Sequence, residues 1–589
     1  MKTWRIMLVV SAVAALALAA GAFAVTPRPA TLKANPVIGG TYDPAGKIPT
    51  VTYPAFLNSP GESLDFSYYD FQANGSMSRQ IVIDGTGGLH VAYMKSPTTT
   101  HTPRNAAYQF NDKIGGGWSG ELDANTARAG YVAMATMADG RAVLSFHQAG
   151  GAGNRAVVAV DAARGAGAFT VTSIDTVTFP PGANCPIWPH VAVSPNDYIQ
   201  TDSKHQTIST NYYSRSTNQG TSFSAFWATA GDTDQNPISY DVIVSRTSGK
   251  VALAWTRFVS GGLHRQLDMN VVYIESTNNG ATWGSMVNVT NYQSADTVRA
   301  YNDVSGVYDQ SDNLHLVWSG HYVTGGNIYT AGAVFHWSNS TGIDCISGPG
   351  TIPGTFWWSV SATPGTWSLC TGRPSLSIDA TGNLYSVFSS QRNDDDSSAG
   401  GFINMDLYGT GSADMGNTWS PVFNITNSHT PGGAPGACDD DRFPSLTAFT
   451  TDSVRLFWIV DRDAGTSVQS EGATTLNPLH YLGLRKSLFL GVEGQPPSVK
   501  MPGSFELSAA RPNPVGQMTE ISYALPVART VNLAVYNAAG QLVRTLVTGR
   551  KEAGYHSARL DAGSLPAGVY LYRLSAGEFT QTRSMVVVR

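Results

Sequence analysis

Between residues 79 and 460 one pattern returns seven times: an alternating apolar strand, a polar turn, and a second strand with an aromatic near its end. The copies read RQIVIDGTGGLHVAYM (79–94), YVAMATMADGRAVLSF (131–146), WPHVAVSPNDYIQTD (188–202) and YDVIVSRTSGKVALAW (240–255). DVSGVYDQSDNLHLVW (303–318), RPSLSIDATGNLYSVF (373–388) and FPSLTAFTTDSVRLFW (443–458) follow. Aligned on Gly88, Gly140, Asp197, Gly249, Asp312, Gly382 and Asp452, neighbours stand 52, 57, 52, 63, 70 and 70 residues apart. Four-stranded propeller blades run about 40–50 residues, and insertions lengthen them. Period-two alternation rich in β-branched and aromatic residues excludes a helical solenoid. The pattern therefore predicts an all-β chain with a seven-bladed β-propeller over residues 71–485. A six-bladed ring is the alternative count.

Composition agrees. Charged residues are only 13% of the 589, while Gly (61), Tyr (25) and Trp (13) are plentiful, which suits tight turns and pleated surfaces. A net charge of −5 with no basic tract excludes a nucleic-acid partner. Lys2 and Arg5 precede the apolar run Ile6 to Ala20, and Gly21-Ala22-Phe23-Ala24 offers a small-x-small cleavage site. Residues 1–24 thus read as a secretory signal peptide. No later segment is apolar for long enough to cross a membrane, so the mature chain is expected to lack a transmembrane segment. Residues 25–70, rich in Pro, Gly and Thr, read as a linker or as a strand closing the ring from its far end. Export permits disulfides among Cys185, Cys345, Cys370 and Cys438. Cys345 and Cys370 bracket one insertion and are the favoured pair, with Cys185 and Cys438 paired to each other or both free.

A second motif recurs further along three repeats. Its copies are Ser216-Thr217-Asn218-Gln219-Gly220-Thr221-Ser222-Phe223, Ser276-Thr277-Asn278-Asn279-Gly280-Ala281-Thr282-Trp283 and Ser412-Ala413-Asp414-Met415-Gly416-Asn417-Thr418-Trp419. Ser and Asp/Asn can bond the backbone of their own turn, Gly accepts positive φ, and the aromatic packs beneath the hairpin. The motif resembles the Asp box (S-x-D-x-G-x-T-W/F) of sialidase-like propellers, with Asn for Asp twice. Weaker versions lie at 111–118 and 161–169. The resemblance implies a fold and no activity, because these boxes sit on the blade periphery.

Residues 486–503, with Pro496-Pro497 and Pro502-Gly503, read as a linker. From 504 to 589 short alternating strands recur between turns such as Asn537-Ala538-Ala539-Gly540, the pattern of a small Ig-like β-sandwich. Arg511-Pro512-Asn513-Pro514, Val531 to Tyr536 and Leu565 to Leu574 occur in an order that resembles the C-terminal sorting domains of type IX secretion cargo. The block is also similar to the Ig-like domain of flagellar hook-capping proteins. The resemblance implies that type IX machinery is a partner, and that the protein is bacterial and either secreted or attached to the outer-membrane surface.

Innermost strands line a propeller's channel, and ligands gather at one mouth. Nine residues before each turn residue stand Arg79, Tyr131, Trp188, Tyr240, Asp303, Arg373 and Phe443; Arg299, Tyr301 and Arg442 are close by. Arginine forks suit carboxylates and aromatic faces suit sugar rings, so an acidic glycan or other surface polymer is the expected partner. The same residues at strand starts also commonly bond loop carbonyls or pack between blades. Sialidases use three arginines, a Tyr nucleophile activated by Glu, and an Asp acid. Here Arg79 is followed by Gln80-Ile81 with no proline, and between 79 and 485 the only glutamates are Glu121, Glu275 and Glu471. Without a placed Glu the tyrosine lacks its base. Seven repeats instead of six are a further departure. A glycoside hydrolase or lyase acting on an extracellular glycan is the second reading, with Asp303, Asp441 and Tyr301 as catalytic candidates, and a protein-binding scaffold is the third. No cofactor is expected and no metal site has recognisable spacing. Asp394-Asp395-Asp396 and Asp439-Asp440-Asp441 are oxygen-rich enough for calcium, but they lack a calcium-loop spacing and read as solvated turns.

Overall fold

The computed structural model describes residues 59–588 except 77, 113–116, 151–152, 175–184, 206–209, 229–238, 263–266, 325–326, 348–361, 392–395, 492–504, 526–528, 552–553 and 578. The expected signal peptide (residues 1–24) and most of the 25–70 segment lie outside the described residues. Among the described residues almost all regular structure is β-strand. Each repeat begins with an innermost strand: Ile81–Ile83, Ala129–Thr136, Pro186–Val193, Tyr240–Val244, Val298–Tyr308, Thr371–Asp379 and Asp440–Leu446. Each pairs antiparallel with the strand after its turn, and two further strands complete a four-stranded unit. Units four and five are joined by a single pair, Met269 with Ala300. Each innermost strand lies against the next, and Asp440–Leu446 lies against Ile81–Ile83, so the ring closes.

The aromatic near the end of each second strand explains why the units stack. Phe146, Trp318, Phe388 and Trp458 are wholly buried, and Trp255 nearly so. Trp458, for example, packs with Tyr385, Val387 and Phe489 between units six and seven. Burial of such a ring stabilises by roughly 1.5–3 kcal/mol, enough to make sheet-to-sheet contact the main source of cohesion.

The seventh unit takes its outermost strand from the other end of the chain. Glu62–Ser67 runs antiparallel to Asn477–Arg485, from Glu62 opposite Tyr481 to Ser67 opposite Asn477. Beyond Arg485 the chain does not leave the ring at once. Lys486–Phe489 forms one helical turn, and the Phe489 ring stands 5.7 Å from Tyr385 and 5.1 Å from Phe423 in unit six. The linker expected from 486 therefore starts too early, because Phe489 is buried.

The three Ser-x-Asp/Asn-x-Gly boxes share one hydrogen-bond knot. Gly220 N, Gly280 N and Gly416 N donate to the Ser Oγ four residues earlier at 2.8, 2.9 and 2.7 Å. Ser222 N, Thr282 N and Thr418 N donate to Oδ1 of Asn218, Asn278 and Asp414 at 3.0, 2.9 and 2.8 Å. The aromatics reach across to the preceding unit: Trp283 stands 4.8 Å from Tyr213 and Trp419 5.1 Å from His336. Phe223 packs with the cluster holding Val158 and Val160. The boxes are rivets between neighbours, which the sequence pattern alone placed beneath their own hairpin.

Residues 506–587 form the sandwich. One sheet holds Glu506–Leu507, Met518–Leu525 and Gly554–Asp561; the other holds Leu542–Lys551, Arg529–Asn537, Gly568–Ala576 and Phe579–Val587. Its own core includes Leu507, Ile521, Leu533, Leu560, Tyr572 and Met585.

Candidate ligand-binding mouth

The residues counted from the turns fall near the start of the innermost strands, at a shared irregularity. Between Gly130 and Ala133, Ile187 and His190, Gly372 and Ser375, and Arg442 and Ser445, the inner strand carries one residue more than its partner. The first bulged residue is left-handed each time: Tyr131 (φ 55°), Trp188 (55°), Arg373 (56°) and Phe443 (56°). A non-glycine residue held there costs about 1–2 kcal/mol, and a bulge re-aims its side chain. Glycine would make the same bend without that cost. Four bulky side chains at this one position mark the mouth as a place where side-chain identity outweighs strain.

These side chains form a continuous wall. Trp188 stands 6.0 Å from Tyr131, Tyr131 6.4 Å from Phe71, Phe71 5.2 Å from Phe443, and the Arg373 guanidinium 4.3 Å above Phe443. Phe71 comes from the segment before the first repeat, where no pattern pointed to it. Tyr131 and Trp188 are half-buried, and Trp367, beside Arg373, is 37% exposed.

Arg373 is the least satisfied group in the wall. Its Nη2 donates to Trp367 O at 2.9 Å and Ser368 Oγ at 3.4 Å, while its backbone N donates to Asp303 Oδ2 at 3.0 Å. Among the described residues its Nη1 has no partner, and neither do Asp303 Oδ1 and Asn302 Oδ1, although all three residues are at least nine-tenths buried. Burial pushes the Asp303 carboxyl up, against the Arg373 charge and the hydrogen bond from Ser319 Oγ at 2.6 Å. Tyr301 is buried 5.3 Å from His321, its phenol pushed up by burial and then by Asp303.

The other candidates are placed differently. Arg79 does not reach the mouth. Its innermost strand is short, and its guanidinium crosses the channel to Gly306 O, Ser375 Oγ and Leu446 O at 3.1, 3.2 and 3.1 Å, bolting units five to seven to unit one. Arg299 is buried against Asp268 at 3.6 Å. Arg442 pairs with Asp440 and donates to Pro364 O at 3.0 Å, so with Arg373 it pins residues 364–368. The Tyr240 hydroxyl donates to Trp188 O at 2.6 Å. Asp441 is wholly buried, accepting from Ser59 Oγ (2.9 Å), Ser428 Oγ (2.9 Å) and Trp458 Nε1 (2.6 Å), and burial pushes it up to about 7.

Two expectations fail. Asp396 and Asp439 to Asp441 are buried, not solvated: Asp396 holds Asn404 and Thr430, and Asp439 pairs with Arg462. Among the described residues no His, Cys, Asp and Glu group is arranged to hold a metal. Cys345 and Cys370 are not bridged. The Cys370 thiol contacts Thr330 Oγ1 at 3.9 Å instead, pushed up to about 12 by burial, and Cys438 is also a thiol, directed at Gly433 O.

Beside the wall lies a second group that the repeats did not reveal. Tyr69 and Tyr131 hydroxyls are 3.3 Å apart, the Arg104 guanidinium lies 4.4 Å over the Tyr69 ring, and the His147 ring is 5.7 Å from Tyr131. The only sequence signal was aromatic density in Phe66 to Phe71, within a stretch lacking periodicity.

Several solved structures share this chain shape at low identity. A polysaccharide lyase of family PL25, an ulvan lyase, is 11% identical, with a TM-score of 0.45 over 70% of this chain and 100% of that one. PorZ, a surface component of the type-IX secretion system of Porphyromonas gingivalis, is 12% identical, with a TM-score of 0.34 over 91% of this chain and 61% of that one. The Hadza microbial sialidase Hz136 is 12% identical, with a TM-score of 0.33 over 64% and 74%. Likenesses this distant say nothing about ligand. No curated protein sequence matches the chain. No described helix is long and apolar enough to cross a membrane. Residues 510–588 match the family described as the secretion system C-terminal sorting domain, which makes this chain a secreted or cell-surface cargo of the type IX system.

Proposed function

We propose that this secreted protein binds an acidic extracellular polysaccharide at the bulged mouth of its propeller. The observation that carries the reading is Arg373, held in a left-handed bulge beside the exposed Trp367, with Nη1 unpartnered among the described residues. A buried guanidinium lacking a partner is unfavourable unless an anion completes it, and a sugar carboxylate or sulfate has the matching geometry. Trp367, Tyr131 and Trp188 offer faces for the rings of the same polymer. Hydrolysis by the expected carboxylates fits less well, because Asp441 is enclosed by three donors and Asp303 by Ser319 and the Arg373 backbone.

Calorimetric titration of the secreted chain with acidic and neutral polysaccharides tests this. Binding restricted to acidic polymers and at least tenfold weaker in Arg373→Gln, with an unchanged melting temperature, is the expected result. Equal affinity for neutral polymers, or an Arg373→Gln variant that binds normally, overturns the reading. Silence toward every polymer leaves the protein-scaffold alternative.

A further inference from the structure

The group beside the aromatic wall combines features that a binding surface does not require. Arg104 is buried, its Nε fixed by Ala129 O at 2.7 Å. Gly130 makes room for two functional groups at once, since a Cβ there would lie 2.8 Å from Arg104 Nη2 and 3.0 Å from His147 Nε2. His147 is 4% exposed, and its Nδ1 has no partner among the described residues. Tyr131, the next residue after Gly130, is turned toward it by the left-handed bulge, and its hydroxyl meets that of Tyr69. Exposed Arg128 adds a second positive charge felt by His147. Neither arginine forms an ion pair among the described residues.

We propose that this cluster cleaves a uronate-containing polysaccharide by β-elimination, a reading that rests on the acidic-polymer binding above. Arg104 and Arg128 hold the uronate carboxylate, which withdraws charge from C5 and makes its proton more acidic. His147 takes the C5 proton. The electron pair of the C5–H bond becomes the C4=C5 double bond, the C4–O4 bond breaks, and O4 leaves with its electrons and the Tyr131 phenolic proton. The proton on His147 then restores Tyr131. No water, oxidant or reductant is consumed, and the new chain end is an unsaturated uronide.

The chemistry of the group favours elimination over hydrolysis. Hydrolysis by the usual route needs two carboxyls facing across the bond, whereas this cluster offers cations, phenols and an imidazole. Burial, then Arg104 and Arg128, push His147 down to about 3, so the ring is neutral and free to accept a proton. A carboxylate seated on the arginines cancels their share of that shift, making the imidazole more basic once the polymer is in place. Burial holds the Tyr131 phenol protonated, as a donor must be.

The secreted chain is incubated with polygalacturonate, glucuronan and alginate, and the ultraviolet absorbance of the unsaturated uronide is followed while binding is measured separately. Absorbance is expected to rise with a polymer that binds, and to rise at least a hundredfold more slowly in His147→Gln and Tyr131→Phe. Tyr131→Phe keeps the ring, the bulge and the melting temperature, so its loss isolates the hydroxyl. Arg128→Gln is expected to lower kcat/KM at least tenfold, because Arg128 both seats the carboxylate and acidifies the C5 proton. Binding with no unsaturated product overturns the elimination and leaves the binding reading intact, as does full activity in Tyr131→Phe. Failure to bind any of the three polymers overturns the elimination, and failure to bind sulfated polymers as well overturns the binding reading.

Discussion

Asp202 lies wholly inside the third sheet, accepting a hydrogen bond from Ser203 N at 3.0 Å and one from Asn211 Nδ2 at 3.4 Å. Burial and then the Asp241 charge push its carboxyl up to about 8. The folded state therefore keeps a proton that the unfolded chain, titrating near pH 4, has already released. Stability from this group is complete below about pH 4, declines as pH rises through the folded value, and is gone above about pH 8. Asp441, at about 7, acts in the same direction over a narrower window. Asp202→Asn is expected to raise the melting temperature by a few degrees at pH 8 and much less at pH 5, read from thermal melts at both values. A gain equal at the two pH values would show that Asp202 is charged in the fold. Nothing in the sequence marks Asp202, since an isolated Asp in a strand reads as solvent-facing. The strained residues at the mouth are equally hidden. Tyr, Trp, Arg and Phe are not residues from which positive φ is predicted, so Tyr131, Trp188, Arg373 and Phe443 could be aligned by count but not seen as bulged.

At the scale of the element, the Ser-x-Asp/Asn-x-Gly box couples a turn to its neighbouring sheet. Gly280 has φ 74°, and a Cβ there would fall 1.8 Å from the Tyr213 hydroxyl, which bonds Gln200 of the same neighbour. Gly280→Ala is expected to lose about 2–4 kcal/mol in urea unfolding, from left-handed strain and displacement of Tyr213 together. Asn278→Ala loses only bonds within the turn, those its amide makes with Thr282 N, Ser276 Oγ and Thr282 Oγ1, and is expected to cost about 1 kcal/mol. Similar losses in the two variants would mean the box only shapes its own turn. Strand, turn and box were legible because each is written in a few consecutive residues. Which surface the box aromatic meets was not, because that depends on how one sheet lies on the next. Arg79 shows the same limit: it aligns with Arg373, yet a short first strand sends it down the channel.

Across the whole molecule, two separate cores are joined by few polar contacts. Arg559 Nη1 of the sandwich reaches Gly436 O at 2.6 Å, and Arg511 reaches Leu64 O on the closing strand. The closing strand itself is the larger determinant. A chain lacking Glu62–Ser67 leaves the edge of Asn477–Arg485 open, with Leu479 and its core neighbours uncovered on one side. Such a chain is expected to melt at least several degrees lower and to aggregate, detected by light scattering during heating. Unchanged melting would show that six complete sheets and a three-stranded seventh suffice. The repeats predicted the ring, and the composition change near 504 predicted the sandwich. The closing strand was only one of two readings of residues 25–70, because a single strand carries no repeat to compare with.

That closure also fixes the order in which the ring can be finished. Ser59 and Asp441, bonded across the seam, are 382 residues apart in the chain. Contacts this distant form late, so Glu62–Ser67 stays unpaired until almost all of the propeller has been laid down. A chain that stops short of Asn477 has no mate for that strand, whose backbone donors and acceptors then stay open as a bare sheet edge.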